Sequence, residues 1–237
     1  MPRALSTLLV VLAIAGLVAG CGGGSSATSS ASSASGTSSV VTAGTPIPDG
    51  CRRVGDPGAR QDETHEKRPP ARLQSTSASV VLQTTCGSFT ITLAVRQAPK
   101  TAASFATLVK RGFYDRLTFH RVATAPSGGP FVIQGGDPLG NGLGGPGYSV
   151  REKPPSNLRY TKYTVAMAKT ASEPPGTSGS QFFVVTAADA GLTPQYALVG
   201  RVTSGRDVVD RIAKMPTADN EQPIVPVVIE KATLQGR

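Results

Sequence analysis

From Ser79 onward the chain is cut into short apolar runs of strand length, and that punctuation excludes most folds before any motif is considered. Phe89, Ile91, Leu93 and Val95 alternate with Ser88, Thr90, Thr92 and Ala94. A period of two buries one face of a strand and wets the other. The run Val80 to Thr85 precedes it across Cys86-Gly87, so the pair reads as a hairpin. Further strand-like runs are Leu117 to Val122, Phe131 to Gln134, Thr164 to Ala168, Gln181 to Thr186, Ala197 to Val202 and Ile224 to Leu234. Two stretches break the pattern. Pro99 to Arg111 sets Phe105, Leu108 and Val109 on one helical face, with proline tolerated near its start and Gly112 to end it. Ser204-Gly205-Arg206-Asp207 has the form of a capping box opening a second helix, with Val208, Val209 and Ile212 inward. About eight strands and two helices over Ser79 to Leu234 predict a mainly β fold. The expected architecture is a closed eight-stranded antiparallel barrel, which hides its edges by closure, capped by the two helices.

The first 78 residues precede that regular pattern and divide into three parts. Residues 1–20 have the form of an export signal: Arg3 supplies a positive start, and Leu5 to Val18 is apolar but too short for an ordinary membrane span. The run closes on Val18-Ala19-Gly20-Cys21, which resembles the bacterial lipobox. That resemblance implies cleavage before Cys21 and lipidation of its sulfur, whose chains hold a protein by burying methylenes worth about 0.8 kcal/mol each. The plainer alternative is a secretory signal with an incidental cysteine. Residues 21–47 are Gly, Ser, Ala and Thr with hardly a hydrophobic group, so ordering them would cost more entropy than burial returns; they read as a flexible tether. Residues 48–78 are polar, with charges of both signs and the Pro69-Pro70 pair, and read as an irregular lead-in to a domain at 79–237. With Cys21 acylated, Cys51 and Cys86 remain as an even pair in an oxidising compartment. They form either a disulfide pinning the lead-in to the first strands or two unpaired thiols, since sequence does not supply the Cα separation a bridge requires.

Charge narrows the partners. The formal net charge is +9, or +8 once the segment containing Arg3 is removed, and it favours anionic surfaces such as lipid head groups. No basic stripe is interleaved with aromatics, so nucleic acid is not an expected partner. The chemistry-bearing stretch is Phe119 to Asp137, which sets Phe-His-Arg against Phe-Val-Ile-Gln-Gly-Gly-Asp across a Pro/Ser/Gly loop. It offers a permanent cation, an amide and aromatic faces, and nothing in it has the form of a nucleophile, a metal cage or a phosphate cradle. The Gly-rich Gly135 to Gly147 lacks the Gly-Lys-Ser/Thr ending of a phosphate loop, so its glycines are expected to serve turns and close approach.

F-H-R at Phe119 to Arg121, F-V-I-Q-G-G-D at Phe131 to Asp137, N-G-L-G-G-P-G-Y, V-A-M-A at Val165 to Ala168 and G-S-Q-F-F-V at Gly179 to Val184 stand in one order. In that order they resemble the cyclophilins, as do A-P-K-T-A-A-S-F in the first helix and A-L-V-G-R-V near the end. The resemblance spans about Ser79 to Leu234 and implies peptidyl-prolyl cis/trans isomerase activity on X-Pro segments, with no cofactor and no metal. The residue types suit that chemistry. Rotation about a peptide bond must break amide resonance, a barrier of about 18–20 kcal/mol, while cis and trans X-Pro differ by only about 0.5–1 kcal/mol. A catalyst therefore needs a donor aimed at the prolyl nitrogen, whose lone pair localises only in the twisted transition state.

By resemblance that donor is Arg121, with Gln134 holding it and touching the substrate backbone. Phe131, Val132, Met167, Phe183 and Leu192 are expected to line the proline pocket, Gln181 and Tyr196 to flank it, and Ala168 and Lys169 to bind the substrate chain through backbone groups. Gln181 and Phe183 share a strand face opposite Phe182 and Val184, and an aromatic in company with an amide suits a pocket better than a core. His120 is expected to be structural. Four departures stand out. Five extra residues separate Arg121 from Phe131, and they either move Phe131 or bulge outward. Lys169 replaces the family's usual Asn, and Tyr196 stands where many members have His. Gly191 stands where many place a Trp that contacts cyclosporin, so weak inhibition by that ligand is expected. The whole reads as a monomeric, extracytoplasmic, membrane-tethered isomerase assisting the folding of exported proteins. Two rivals are a non-catalytic proline-peptide-binding or chaperone module, in which the insertion separates Arg121 from Gln134, and an inert envelope scaffold.

Overall fold

The computed structural model describes residues 44–60 and 65–236. The expected signal, Cys21 and most of the tether lie outside the described residues. Ten strands and two helices follow in order: β1 (Ser79–Thr84), β2 (Gly87–Leu93), α1 (Pro99–Lys110), β3 (Arg121–Thr124), β4 (Pro130–Gly135), β5 (Val150–Arg151), β6 (Thr164–Met167), β7 (Thr177–Ser178), β8 (Phe182–Val185), β9 (Leu198–Ser204), α2 (Arg206–Ile212) and β10 (Ile229–Gln235). Eight strands form one antiparallel sheet in the order β10-β1-β2-β9-β6-β8-β4-β3, and β5 with β7 forms a separate pair.

The sheet is an open half-barrel, which corrects the closed barrel expected from strand count. Its edges are β3 and β10. Between them the approach is made by the isolated bridge Thr118↔Val228, with Arg116 N donating to Ile229 O at 2.7 Å and Phe119 N to Val227 O at 2.9 Å. Both expected edge strands begin late. Residues 117–119 bond to the segment leading into β10 instead of to β4, Phe119 N donating to Val227 O and Ile229 N to Leu117 O. Pro223 and Pro226 have no N–H to give a ladder, so pairing starts at Ile229 rather than Ile224.

The core lies between the sheet and the helices. The alternation read from β2 buries Phe89, Ile91 and Leu93, and α1 adds Phe105 and Leu108 to the same cluster. Ala98 gives α1 no side-chain cap; instead the Glu152 carboxylate accepts from Lys100 N at 3.1 Å and from Thr101 N and Oγ1 at 2.8 Å each. A carboxylate there satisfies orphan donors and the helix dipole together. Gly112, with φ 70°, takes the left-handed position after α1. The capping box expected for α2 is not formed. Ser204 stays in β9, and Gly205 is the N-cap at φ 69° with no side-chain cap bond.

Among its described residues the lead-in has no regular secondary structure, and it is fastened to the domain. Ordered contacts begin earlier than expected, since Ile47 packs against the core and Thr45 O accepts from Arg53. Cys51 and Cys86 are joined as a disulfide across a sequence separation of 35. In the loop-closure account a bridge of that span stabilises by about 3–4 kcal/mol. Replacing both cysteines with Ser is therefore expected to lower the unfolding free energy by about that amount in urea titrations. An unchanged midpoint would show that the lead-in is held without the bridge.

Candidate active site

Antiparallel pairing places one residue from each of four strands in a row on the sheet face away from the core. Arg121 on β3 is opposite Gln134 on β4, Gln134 is opposite Phe183 on β8, and Phe183 is opposite Ala166 on β6. Directly opposed residues share a face, so a cation, an amide and an aromatic ring become neighbours without any loop arranging them. The insertion does not disturb this row. It closes on itself through Ala125 N to Gly129 O at 2.9 Å and Gly128 N to Ala125 O at 2.8 Å, with Pro126 to Pro130 exposed. Phe131 stays fixed to β8's end because its carbonyl accepts from Thr186 N and Ala187 N. The bulge is outward, and the premise of the non-catalytic rival is lost.

Hydrogen bonds continue the row sideways. Arg121 Nη1 donates to Gln134 Oε1 at 3.3 Å, and Gln134 Nε2 donates to Gln181 Oε1 at 3.0 Å. Gln181 Nε2 donates to the carbonyls of Gly142 and Gly144, each at 2.9 Å. On its other side Arg121 Nε donates to Glu221 Oε2 at 2.6 Å. Two of the five guanidinium N–H groups are thus committed among the described residues, and the rest can face a ligand. The Arg121 and Glu221 side chains are 37% and 32% exposed, so the ion pair adds little stability, at most about 1 kcal/mol, and its effect is to fix direction. Glu221 was missed in the sequence. It lies in a reverse turn with φ 63°, its carbonyl accepting from Val122 N on the free edge of β3. No local pattern marks a residue 100 positions from its partner.

A second apolar cluster, separate from the core, lies along the row. It contains buried Val132 and Phe183, with Phe131, Ala168, Leu192 and Tyr196 partly buried against it. Phe183 meets Tyr196 edge-on at 5.4 Å, and Tyr160 is 5.9 Å from Tyr196. The Tyr160 hydroxyl, pushed up to about 12 chiefly by burial, donates to Tyr196 O and accepts from Tyr196 N, which fixes the segment carrying that ring. Met167 is a correction: it packs in the main core at 1% exposure, not in this cluster. Strand period explains it, since Met167 shares the inward face of β6 with Val165 while Ala166 and Ala168 face the site. The Lys169 ammonium lies over the Tyr196 ring at 5.8 Å and donates to Thr170 O and Glu173 O. Gly191 is exposed, with open space around the position a side chain would take.

His120 stands beside Arg121 on the chain, and neither ring nitrogen has a hydrogen-bond partner among the described residues. Burial lowers its pKa from the ordinary 6.5; Asp137 raises it, and Arg121 lowers it further. As pH falls below about 6.5 the unfolded chain takes up this proton before the folded one does, so stability falls. Urea titrations from about pH 7 to about pH 5.5 are expected to show a larger loss for wild type than for His120→Gln. Equal slopes would remove the buried imidazole as the cause.

Fold and site together define an open half-barrel bearing a clamped cation beside a second, partly exposed apolar cluster. Residues 79–234 match the family described as "Cyclophilin type peptidyl-prolyl cis-trans isomerase/CLD". The chain is 38% identical over 159 residues to Peptidyl-prolyl cis-trans isomerase-like 1 of Neurospora crassa, covering 66% of this chain and 93% of that protein. It is 39% identical over 175 residues to Peptidyl-prolyl cis-trans isomerase B of Streptomyces anulatus, covering 66% and 95%. Among solved structures, a cyclophilin type isomerase of Cryptosporidium parvum matches with TM-score 0.61 at 27% identity over 68% of this chain and 99% of that one. A second structure of that protein, in the presence of the dipeptide Ala-Pro, matches with TM-score 0.60 at 27% identity over 67% and 99%. The chain belongs to the cyclophilin-type peptidyl-prolyl cis-trans isomerases, and it is an enzyme of that class.

Proposed function

We propose that this isomerase acts on X-Pro segments of exported polypeptides outside the cytoplasmic membrane, to which lipid on Cys21 tethers it. The proline ring enters the cluster of Phe131, Phe183 and Leu192, and the substrate backbone runs past Ala168 and Gln134. As the amide twists, its nitrogen lone pair localises, and a free N–H of Arg121 donates to it. That bond strengthens only in the transition state, which is the condition for accelerating a rotation without covalent chemistry. Gln134 and Glu221 hold the guanidinium, so little reorganisation is needed as the charge shifts.

The observation that carries the chemical reading is the Arg121–Gln134 bond lying in register beside Phe183. The presence of Ala-Pro with a similar isomerase supports the substrate class. What supports the location is the signal-like start ending at Cys21, followed by a Gly/Ser-rich stretch. Uncatalysed prolyl isomerisation takes about 10–100 s at 25 °C, slow enough to limit the folding of chains arriving unfolded. Expressed at full length in a bacterial host, wild type is expected in the membrane fraction and Cys21→Ser in the soluble fraction. A Cys21→Ser protein that still sediments with membranes overturns the lipid tether.

A further inference from the structure

The lead-in plays no part in the chemistry so far, yet two of its backbone contacts fall on one loop beside the site. Beyond the Cys51–Cys86 bridge, Arg52 N donates to Thr85 O at 2.7 Å. Farther on, Arg60 N donates to Pro138 O at 2.8 Å and Glu66 N donates to Pro146 O at 2.9 Å. Each of these points is itself held by a side chain. Arg60 Nη2 donates to Asp115 O at 2.9 Å with its guanidinium 5.3 Å from the Phe113 ring centre, and Glu66 pairs with Arg111 at 2.9 Å.

The two contacts bracket the Gly-rich loop whose carbonyls hold Gln181. Pro138 and Pro146 are buried beneath them, whereas Leu139, Asn141, Gly142 and Leu143 between them are exposed, Leu143 by 82%. Inside the bracket the Asp137 carboxylate accepts from Leu139 N and Gly142 N. The loop therefore has polar ties at its start, no apolar anchor at its tip, and the lead-in at both ends. From Gly142 and Gly144 the hydrogen bonds run through Gln181 and Gln134 to Arg121.

We propose that the lead-in is a strap that positions the active site, its clamps being the backbone N–H groups of Arg60 and Glu66 kept in place by their own side chains. They set the Gly142 and Gly144 carbonyls, which orient the Gln181 amide and through it Gln134 and the guanidinium. Arg60 and Glu66 are positioning residues, since neither touches the pocket. A strap that merely stabilised the fold would change the unfolding temperature and leave the folded enzyme's kinetics alone. The proposal rests on Arg121 being the catalytic donor, and the test separates the two.

In the otherwise unaltered chain, Arg60→Pro with Glu66→Pro deletes both donors. Arg72→Pro places the same ring at an exposed lead-in position whose N–H has no backbone partner among the described residues. Well below the unfolding temperature, the double variant is expected to lower kcat/KM on an Ala-Pro peptide by about 3- to 30-fold. The Gln181 side-chain amide is expected to exchange faster with solvent, while Arg72→Pro matches wild type. A folded double variant with wild-type kinetics and an unchanged Gln181 amide overturns the strap. Should the double variant not fold, Arg60→Ala with Glu66→Ala removes only the side-chain holds and is expected to cost about twofold with faster Gln181 exchange. No change in either readout then overturns the proposal. Arg121→Ala is run beside them: activity lost there but untouched by the strap variants refutes the strap alone, and activity kept there refutes the Arg121 reading.

Discussion

Replacing Arg121 with Ala is expected to lower kcat/KM on an Ala-Pro peptide by about 100- to 1,000-fold, the scale seen when one preorganised donor is removed from a developing charge. The effect should fall mainly on kcat, because the localised lone pair exists only in the twisted state. Stability should hardly change. Among the described residues the ion pair lost is the partly exposed one with Glu221, worth at most about 1 kcal/mol, so thermal unfolding separates a catalytic defect from a folding one. Arg121→Lys keeps the charge but not the planar fork that serves Glu221 and Gln134 at once, and it is expected to recover only part of the rate. NMR exchange between cis and trans peptide is the appropriate measurement. A folded Arg121→Ala protein with wild-type rates would sink the proposed mechanism.

The second large effect contrasts two adjacent residues. Phe182 is fully buried and meets Phe105, Tyr114 and Phe119 edge-on at 5.5, 5.6 and 5.8 Å. Truncating it to Ala removes a ring shared by the sheet, α1 and the segment before β3, at an expected cost of about 3–5 kcal/mol. Phe183 is also largely buried, at 4% exposure, but lies in the second cluster with Tyr196 and Tyr160. Its truncation is expected to cost less stability, because the cluster it leaves is smaller and borders solvent, and to raise KM for proline peptides. Urea midpoints and steady-state kinetics on both variants test this. Equal destabilisation with unchanged KM for Phe183→Ala would mean that the second cluster is ordinary core.

Much of this was legible in the chain before folding. The strand period separates Phe182 from Phe183, and the ordered motifs from Phe119 to Val184 carry the family. The same period, applied to β6, places Met167 inward with Val165, in the core rather than at the pocket that the resemblance implies for it. The capping box at Ser204 shows the reverse. A matching local pattern went unused because Ser204 was retained by the β9 ladder and Gly205 could take a left-handed conformation that a residue with a Cβ resists.

Local physics is what a sequence states directly. Alternation, helix faces, glycine and proline punctuation and the shared order of motifs determined a mainly β domain with two helices whose first strand starts at Ser79. Whether the sheet closed was not in that information, because closure depends on how two edges about a hundred residues apart approach, and here Pro223 and Pro226 held the β10 ladder short. Nor could periodicity foretell that Glu221 would reach Arg121, or that Arg60 and Glu66 would grip the loop beneath Gln181. Those contacts join segments with no local signal for one another, and only the path of the folded backbone brings their donors and acceptors within hydrogen-bonding distance.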